Sequence, residues 1–363
     1  MLELALSSTT IIYTVKIKIL ILLGLEKIKK FDSSNIHETY DGWSDIAKSS
    51  YELKKEKAEF DGIDHVVFLG MGGSGTISDV LSSILSKSDI HTFTVKGYHL
   101  PATVDKNTLV IATSVSGETD ETITVLEDSL KTNCKKIAFS RGKTTLESFC
   151  KKNGIQHGTP EFYHSPRASF VSFLYYILDS LDSTLRIKKE GILESIKSLH
   201  SIQKEIGTSN LDPSKNKALN LASWMTGTPV IYYPWGLSAS AIRFKNSLNE
   251  NAKMHAIVED VIEACHNGVV AWERPSHFQP ILIQGSDDYI KTKERWKILK
   301  EFFEQKNIDY REVHSVNGSI LAKLATLIYL LDYTSIYKSF LLGIDPSPVT
   351  PIDFVKKKLA HNI

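Results

Sequence analysis

The sequence predicts an α/β protein built from two α/β/α sandwich domains, each with a parallel sheet covered by helices. Three observations carry this. The chain has 363 residues, more than one domain commonly holds. Short apolar runs alternate with helical patterns from about residue 64 onward. The same alternation starts afresh near residue 230.

Taken in order, Val66–Leu69, Phe93–Val95, Leu109–Ala112 and Ile137–Phe139 read as strands, with helical patterns at Thr76–Leu85 and Glu118–Lys131 between them. A helical segment at Phe170–Leu185 closes this half. Glu190–Ile206 and Asn216–Met225 read as linking helices. In the second half Val230–Tyr233 is a strand, a turn at Gly236 follows, and a helix runs to about Asn249. Pro280–Gln284 and Tyr310–His314 are further strands, each followed by a helix, at Tyr289–Gln305 and Ile320–Leu342. The expected division is an extension at 1–30 outside the core, a first domain at 31–190 and a second at 191–363. Ile11–Leu23 is strongly apolar, but Lys16 and Lys18 interrupt it at a cost that argues against a membrane span. No small-residue cleavage site follows it.

Composition narrows the function. The chain is 42% hydrophobic and carries a net charge of +1, and no basic cluster with interleaved aromatics appears, so nucleic acid is not an expected partner. The mixed-sign run Lys54–Lys57 reads as a solvated helix face. Three scattered cysteines, Cys134, Cys150 and Cys265, fit free thiols in a reducing cytosol.

Two loops point to an anion. The run Val66–Leu69 ends in Gly70-Met71-Gly72-Gly73-Ser74-Gly75 before a helical pattern. Glycines let the backbone approach an anion, and a helix N-terminus offers free N–H groups and a favourable dipole. The run Leu109–Ala112 leads into Ser114-Val115-Ser116-Gly117-Glu118-Thr119, rich in hydroxyl donors. Each alone reads equally as a tight turn or a set of helix caps. Together, at two strand–helix turns, they form a cradle for a phosphate monoester without a metal or other cofactor. The glycine spacing departs from a dinucleotide fingerprint, and no acidic residue follows where a ribose partner would sit, which disfavours a dinucleotide-dependent oxidoreductase.

The second half supplies Leu248-Asn249-Glu250-Asn251-Ala252-Lys253 and, sixteen residues after Glu250, His266-Asn267. A carboxylate base, an imidazole and a phosphate cradle are what an aldose–ketose isomerase of a sugar phosphate needs. An isolated Glu is more often a solvated helix-end carboxylate, and a lone His is usually structural.

These motifs, with Ser165-Pro166-Arg167 and Asp345-Pro346-Ser347-Pro348-Val349, occur in an order that resembles the archaeal bifunctional phosphoglucose/phosphomannose isomerases. That family consists of two-domain sugar-isomerase (SIS) proteins. The resemblance runs from about Phe31 to the C-terminus. It implies that Glu250 is the isomerisation base, that His266 opens the sugar ring, and that Arg167 stabilises an enediolate oxygen. It implies a ring-opening lysine in the C-terminal run, assigned to Lys356 with Lys357 as second choice. Gly73, Ser74, Ser114, Ser116 and Thr119 would hold the phosphate, and Thr350 would contact the substrate near C2. The resemblance also implies a homodimer in which His266 reaches the neighbouring subunit's site. The alternatives are an SIS isomerase of another sugar phosphate, or a sugar-phosphate-sensing SIS module without turnover.

Overall fold

The computed structural model describes residues 23–361. The apolar run Ile11–Leu23 therefore lies outside the described residues except for Leu23. That residue is buried, as is Ile28 in helix α1 (Leu25–Phe31), so these two side chains belong to the core. The reason is local: the helix contacts the long helix Ile320–Leu342, and Lys27 Nζ donates to Leu341 O at 3.3 Å.

Helices α2 (Ile36–Asp41) and α3 (Trp43–Glu52) precede the first sheet. The first half then runs β1 (His65–Leu69), α4 (Gly72–Leu85), β2 (His91–Val95), β3 (Thr108–Thr113), α5 (Asp120–Asp128), β4 (Lys135–Phe139), α6 (Thr145–Asn153), β5 (Gln156–Gly158) and α7 (Phe170–Ser180). Helices α8 (Lys189–Ile206) and α9 (Lys217–Trp224) lead to the second half. It contains β6 (Thr228–Tyr233), α10 (Ser238–Ser247), β7 (Ile257–Asp260), α11 (Val261–Ala264), β8 (Phe278–Gln284), α12 (Ile290–Gln305), β9 (Arg311–His314), α13 (Ile320–Leu342) and α14 (Thr350–His361).

All described strand pairs are parallel. The first sheet has the order β2-β1-β3-β4-β5 and the second β7-β6-β8-β9. The second therefore repeats the first without its last strand. In each, the chain leaves the first-formed strand in one direction and returns on the other side. This opens a crevice at the carboxyl ends of β1 and β3, and another at those of β6 and β8.

One core joins the halves. Helix α13 packs against α8, α9 and α10 and is buried almost along its whole length. It is apolar and long enough to cross a membrane, but 94% of its apolar window is buried inside the protein. Ser319 starts it, accepting from Ala322 N, and Gly343 ends it at a left-handed φ of 73°. Trp43 stacks on both Tyr40 and Tyr329, fixing the α2–α3 hairpin to α13.

Two local readings of the sequence are corrected. Residues 54–57 are not helical. Lys55 turns inward, donates to the carbonyls of Ser50, Tyr51 and Leu53, and pairs with Asp179 at 2.9 Å. The end of α3 leaves carbonyls unpaired, and this lysine satisfies them. The run Val269–Glu273, which reads as a strand, lies in a 3₁₀ helix, Gly268–Glu273. Trp272 holds it there by burying its ring against Phe303 and donating to Tyr232 Oη. Cys265 follows α11, and burial raises its thiol pKa.

Candidate active site

The Arg167–Glu250 cluster is assembled from four distant segments. Helix α10 runs directly into a π-helical turn, Leu248–Ala252. Such turns are rare and occur frequently at functional sites. The extra residue per turn splits the run: Leu248, Asn251 and Ala252 are buried while the Glu250 side chain keeps 27% exposure.

Arg167 is 5% exposed and uses its whole guanidinium. Nε donates to Asn251 Oδ1 at 2.8 Å, Nη1 faces Glu250 Oε2 at 3.3 Å, and Nη2 donates to the carbonyls of Pro346 and Ser347. Asn251 is held in turn by its amide donating to Ser335 Oγ. Lys253, at a left-handed φ of 55°, donates to the carbonyls of Glu250, Pro346 and Pro348. Burial and the neighbouring Arg167 lower its pKa. The residues around Pro346 are thus clamped from two sides.

A second buried pair lies beneath. Arg243 donates to Asp332 at 2.7 Å and to the carbonyl of Arg167 at 2.8 Å. Ser247 and Tyr40 also donate to Asp332. Burial opposes the Arg243 charge, but Asp332 outweighs it and holds the guanidinium above its ordinary pKa. Removing one partner of a buried pair strands the other charge, so the pair fixes both α10 and the backbone of Arg167.

The glycine loop meets this cluster. A Cβ on Gly73 would stand 3.4 Å from Arg243 Nη1 and 3.5 Å from Pro166 O. No side chain caps α4 or α5, so the N–H groups of their first turns face the loops. Ser74 Oγ accepts from Val115 N at 3.1 Å, which ties the two loops together. Ser114 is buried, accepts from Gly117 N and shares a hydrogen bond with Thr119 Oγ1 at 2.7 Å. The more open hydroxyls are those of Ser116 and Thr119, both half-buried. Gly117 has φ of 72°, and any Cβ there would strike Thr144 at 2.3 Å.

The remaining candidates fall elsewhere. Lys356 and Thr119 line one cavity of about 640 Å³, together with Tyr98, Pro351, Ile352 and Val355. Thr350 opens α14, is exposed, and is not part of that lining. His266 is exposed after α11, with its backbone N–H on Glu263 O. Among the described residues its side chain takes no part in the Arg167–Glu250 cluster. Nor do the described residues include a group of three or more His, Cys, Asp or Glu placed to hold a metal.

Sequence reasoning passed over Arg243, Asp332 and the structural use of Lys253. Asp332 carried a signal, since a lone carboxylate within the apolar run Ile320–Leu342 needs a cation once buried.

Comparison with known proteins decides the family. A bifunctional phosphoglucose/phosphomannose isomerase of Caldicellulosiruptor bescii is 32% identical over 332 residues, covering 86% of this chain and 96% of that protein. This chain belongs to the bifunctional phosphoglucose/phosphomannose isomerase family. A second member of the family, from Aquifex aeolicus, is 30% identical over 324 residues, covering 87% of this chain and 94% of that protein. The profile of the bacterial phospho-glucose isomerase C-terminal SIS domain matches residues 214–359. In fold, the chain is similar to a glucose-6-phosphate isomerase from Chlamydia trachomatis, with a TM-score of 0.67, 14% identity, and coverage of 89% and 72% of the two chains.

Proposed function

We propose that the chain interconverts glucose 6-phosphate and fructose 6-phosphate, and likewise mannose 6-phosphate and fructose 6-phosphate. The observation that carries this is the partly exposed Glu250 carboxylate, set against a fully engaged Arg167 and beside an uncapped glycine-rich helix start.

The chemistry follows from the placement. The phosphate sits on Gly73, Ser116, Thr119 and the first-turn N–H groups, with Ser74 and Ser114 shaping the loops. His266 and Lys356 supply the proton transfers that open the ring, and Thr350 lies at the C2 end. Glu250 takes the C2 proton of the open aldose, electrons shift from the C2–H bond towards the carbonyl, and a cis-enediol(ate) forms. Arg167 stabilises its oxygen. A proton passes from O2 to O1, and Glu250 returns its proton to C1, giving the ketose. Because the enediolate has lost the stereochemistry at C2, reprotonation of that carbon on either face yields the glucose or the mannose epimer.

The enzyme works in the cytoplasm as a homodimer. Two domains, 31–190 and 191–363, divide phosphate binding from proton transfer. The exposure of His266, away from its own chain's cluster, supports its use in the partner's site.

Two experiments test this. NMR of fructose 6-phosphate incubated with the protein and a chelator is expected to show both glucose and mannose 6-phosphates. Turnover that stops with EDTA and returns with a divalent ion overturns the cofactor-free scheme. Mixing Glu250→Gln with His266→Ala, under demonstrated subunit exchange, is expected to restore about one quarter of the sites. No recovery places both residues in one chain's site.

A further inference from the structure

The second crevice, at the carboxyl ends of β6 and β8, is the counterpart by strand order of the phosphate cradle at β1 and β3. It is a cavity of about 480 Å³, within the range of small-ligand sites. The loop Pro234–Leu237 after β6 and the loop Gly285–Tyr289 after β8 form two walls, and the start of α13 forms a third. Lys87, just past the end of α4, also lines it.

Its lining is unlike an ordinary surface cleft. Trp235 is 79% exposed and Tyr289 73%, so two large ring faces stand open at the mouth. Lys323 is the reverse, a cation whose side chain is only 8% exposed. Its Nζ pairs with Asp287, itself 74% exposed. Among the described residues that is its one side-chain partner. The neighbouring Asp288 is fixed, accepting from Gly285 N at 3.0 Å and from Trp296 Nε1 at 2.9 Å. Asp287 is the exposed acid of the crevice, so its carboxylate has room to turn to water and leave the buried lysine to another anion.

We propose that this crevice is a second sugar-phosphate site. The phosphoryl group replaces Asp287 on Lys323, with Lys87 adding charge, and the apolar face of the sugar lies on Trp235 and Tyr289. No covalent step is involved. The choice of a sugar phosphate rests on the proposed isomerase reading, whereas the site itself rests on the crevice. Helix α13 carries Lys323 near its start and Asp332 and Ser335 further along, so an occupant here touches the helix that holds Arg243 and Asn251.

The test uses full-length protein carrying Glu250→Gln, so that glucose 6-phosphate is bound without being consumed. Calorimetry is expected to count two sites per chain, and tryptophan fluorescence to report the second through Trp235. Lys323→Met should weaken one class of sites at least tenfold and leave the other intact. Ser116→Ala combined with Thr119→Ala should do the converse. Trp235→Ala, at an exposed position that does not threaten folding, should weaken the same class as Lys323→Met and abolish its fluorescence signal. Inorganic phosphate should bind that class at least tenfold more weakly than glucose 6-phosphate. One site per chain, two sites indifferent to both Lys323→Met and Trp235→Ala, or inorganic phosphate binding as tightly as the sugar phosphate, overturns the proposal. If only the Ser116 and Thr119 substitutions are without effect, the phosphate cradle of the isomerase is misplaced and the second site stands.

Discussion

The two sheets share a strand order but carry opposite chemistry at their carboxyl ends. The first offers glycines, hydroxyls and uncapped N–H groups. The second offers Trp235, Asp287, Asp288 and a buried lysine, and sends Glu250 out at the far end of its first helix, away from its own crevice and onto Arg167 of the first half. In the proposed reading, this shared strand order separates holding the phosphate from moving the proton. The chain pays for this division with the Arg243–Asp332 pair, which must bring α10, α13 and the backbone of Arg167 into one register.

The largest effects should separate the halves kinetically. Glu250→Gln, in the second half, is expected to lower kcat by about 10²–10⁴-fold with little change in KM. Thr119→Ala, in the first, is expected to raise KM by about tenfold or more and leave kcat near wild type, because phosphate contacts are shared by ground and transition states. Steady-state rates with fructose 6-phosphate decide this, and a kcat loss from Thr119→Ala matching that from Glu250→Gln would erase the distinction.

Glycine substitutions sharpen the comparison at a smaller scale. Gly117→Ala puts a Cβ into Thr144 at a left-handed φ, and about 1–2 kcal/mol of stability should go from the backbone alone, with a raised KM. Gly236→Ala, at the turn after β6, the second sheet's counterpart of β1, meets nothing within 4 Å and should fall within about 0.5 kcal/mol of wild type. Urea denaturation of both variants checks the pair. Equal losses would mean that the two turns are constrained alike.

The smallest effect concerns β5, the strand that the second sheet lacks. His157 Nε2 lies 2.8 Å from Ser140 Oγ, and burial lowers its pKa below the ordinary 6.5. Above about 6.5 the imidazole is neutral in both folded and unfolded chains. As pH falls below that value the unfolded chain takes up a proton that the folded one resists, so stability declines. Denaturant midpoints at pH 7.5 and 5.5 should therefore differ less in His157→Gln than in wild type. The same pH difference in both proteins would show that this histidine is not held neutral by the fold.

The long periodic elements were legible because burial imposes a period on them. The strand at 109–112 and the helix at 320–342 stand in the structure nearly as the pattern places them. The short edge strands β5 and β7 were not legible, since three or four residues carry too little pattern. The 3₁₀ helix at 268–273 was misread because its β-branched residues imitate a strand, and only the burial of Trp272 decides it. Within the site, Glu250 and Arg167 were visible as members of short motifs. What supports them was not. Arg243 and Asp332 lie 89 positions apart, and only the packing of α10 on α13 makes them partners.

That separation has a consequence for how the enzyme is made. Every segment of the phosphate cradle has been translated before Glu250 exists, and Glu250 leaves the ribosome well before Asp332, Ser335 and Pro346. A nascent chain halted ahead of α13 has both glycine and serine loops but leaves Arg243 without its counter-ion and Asn251 without its anchor. On the proposed assignment, proton transfer is therefore the last competence that this polypeptide acquires, and a chain halted ahead of α13 would hold the proposed phosphate loops without the contacts that fix Arg243 and Asn251.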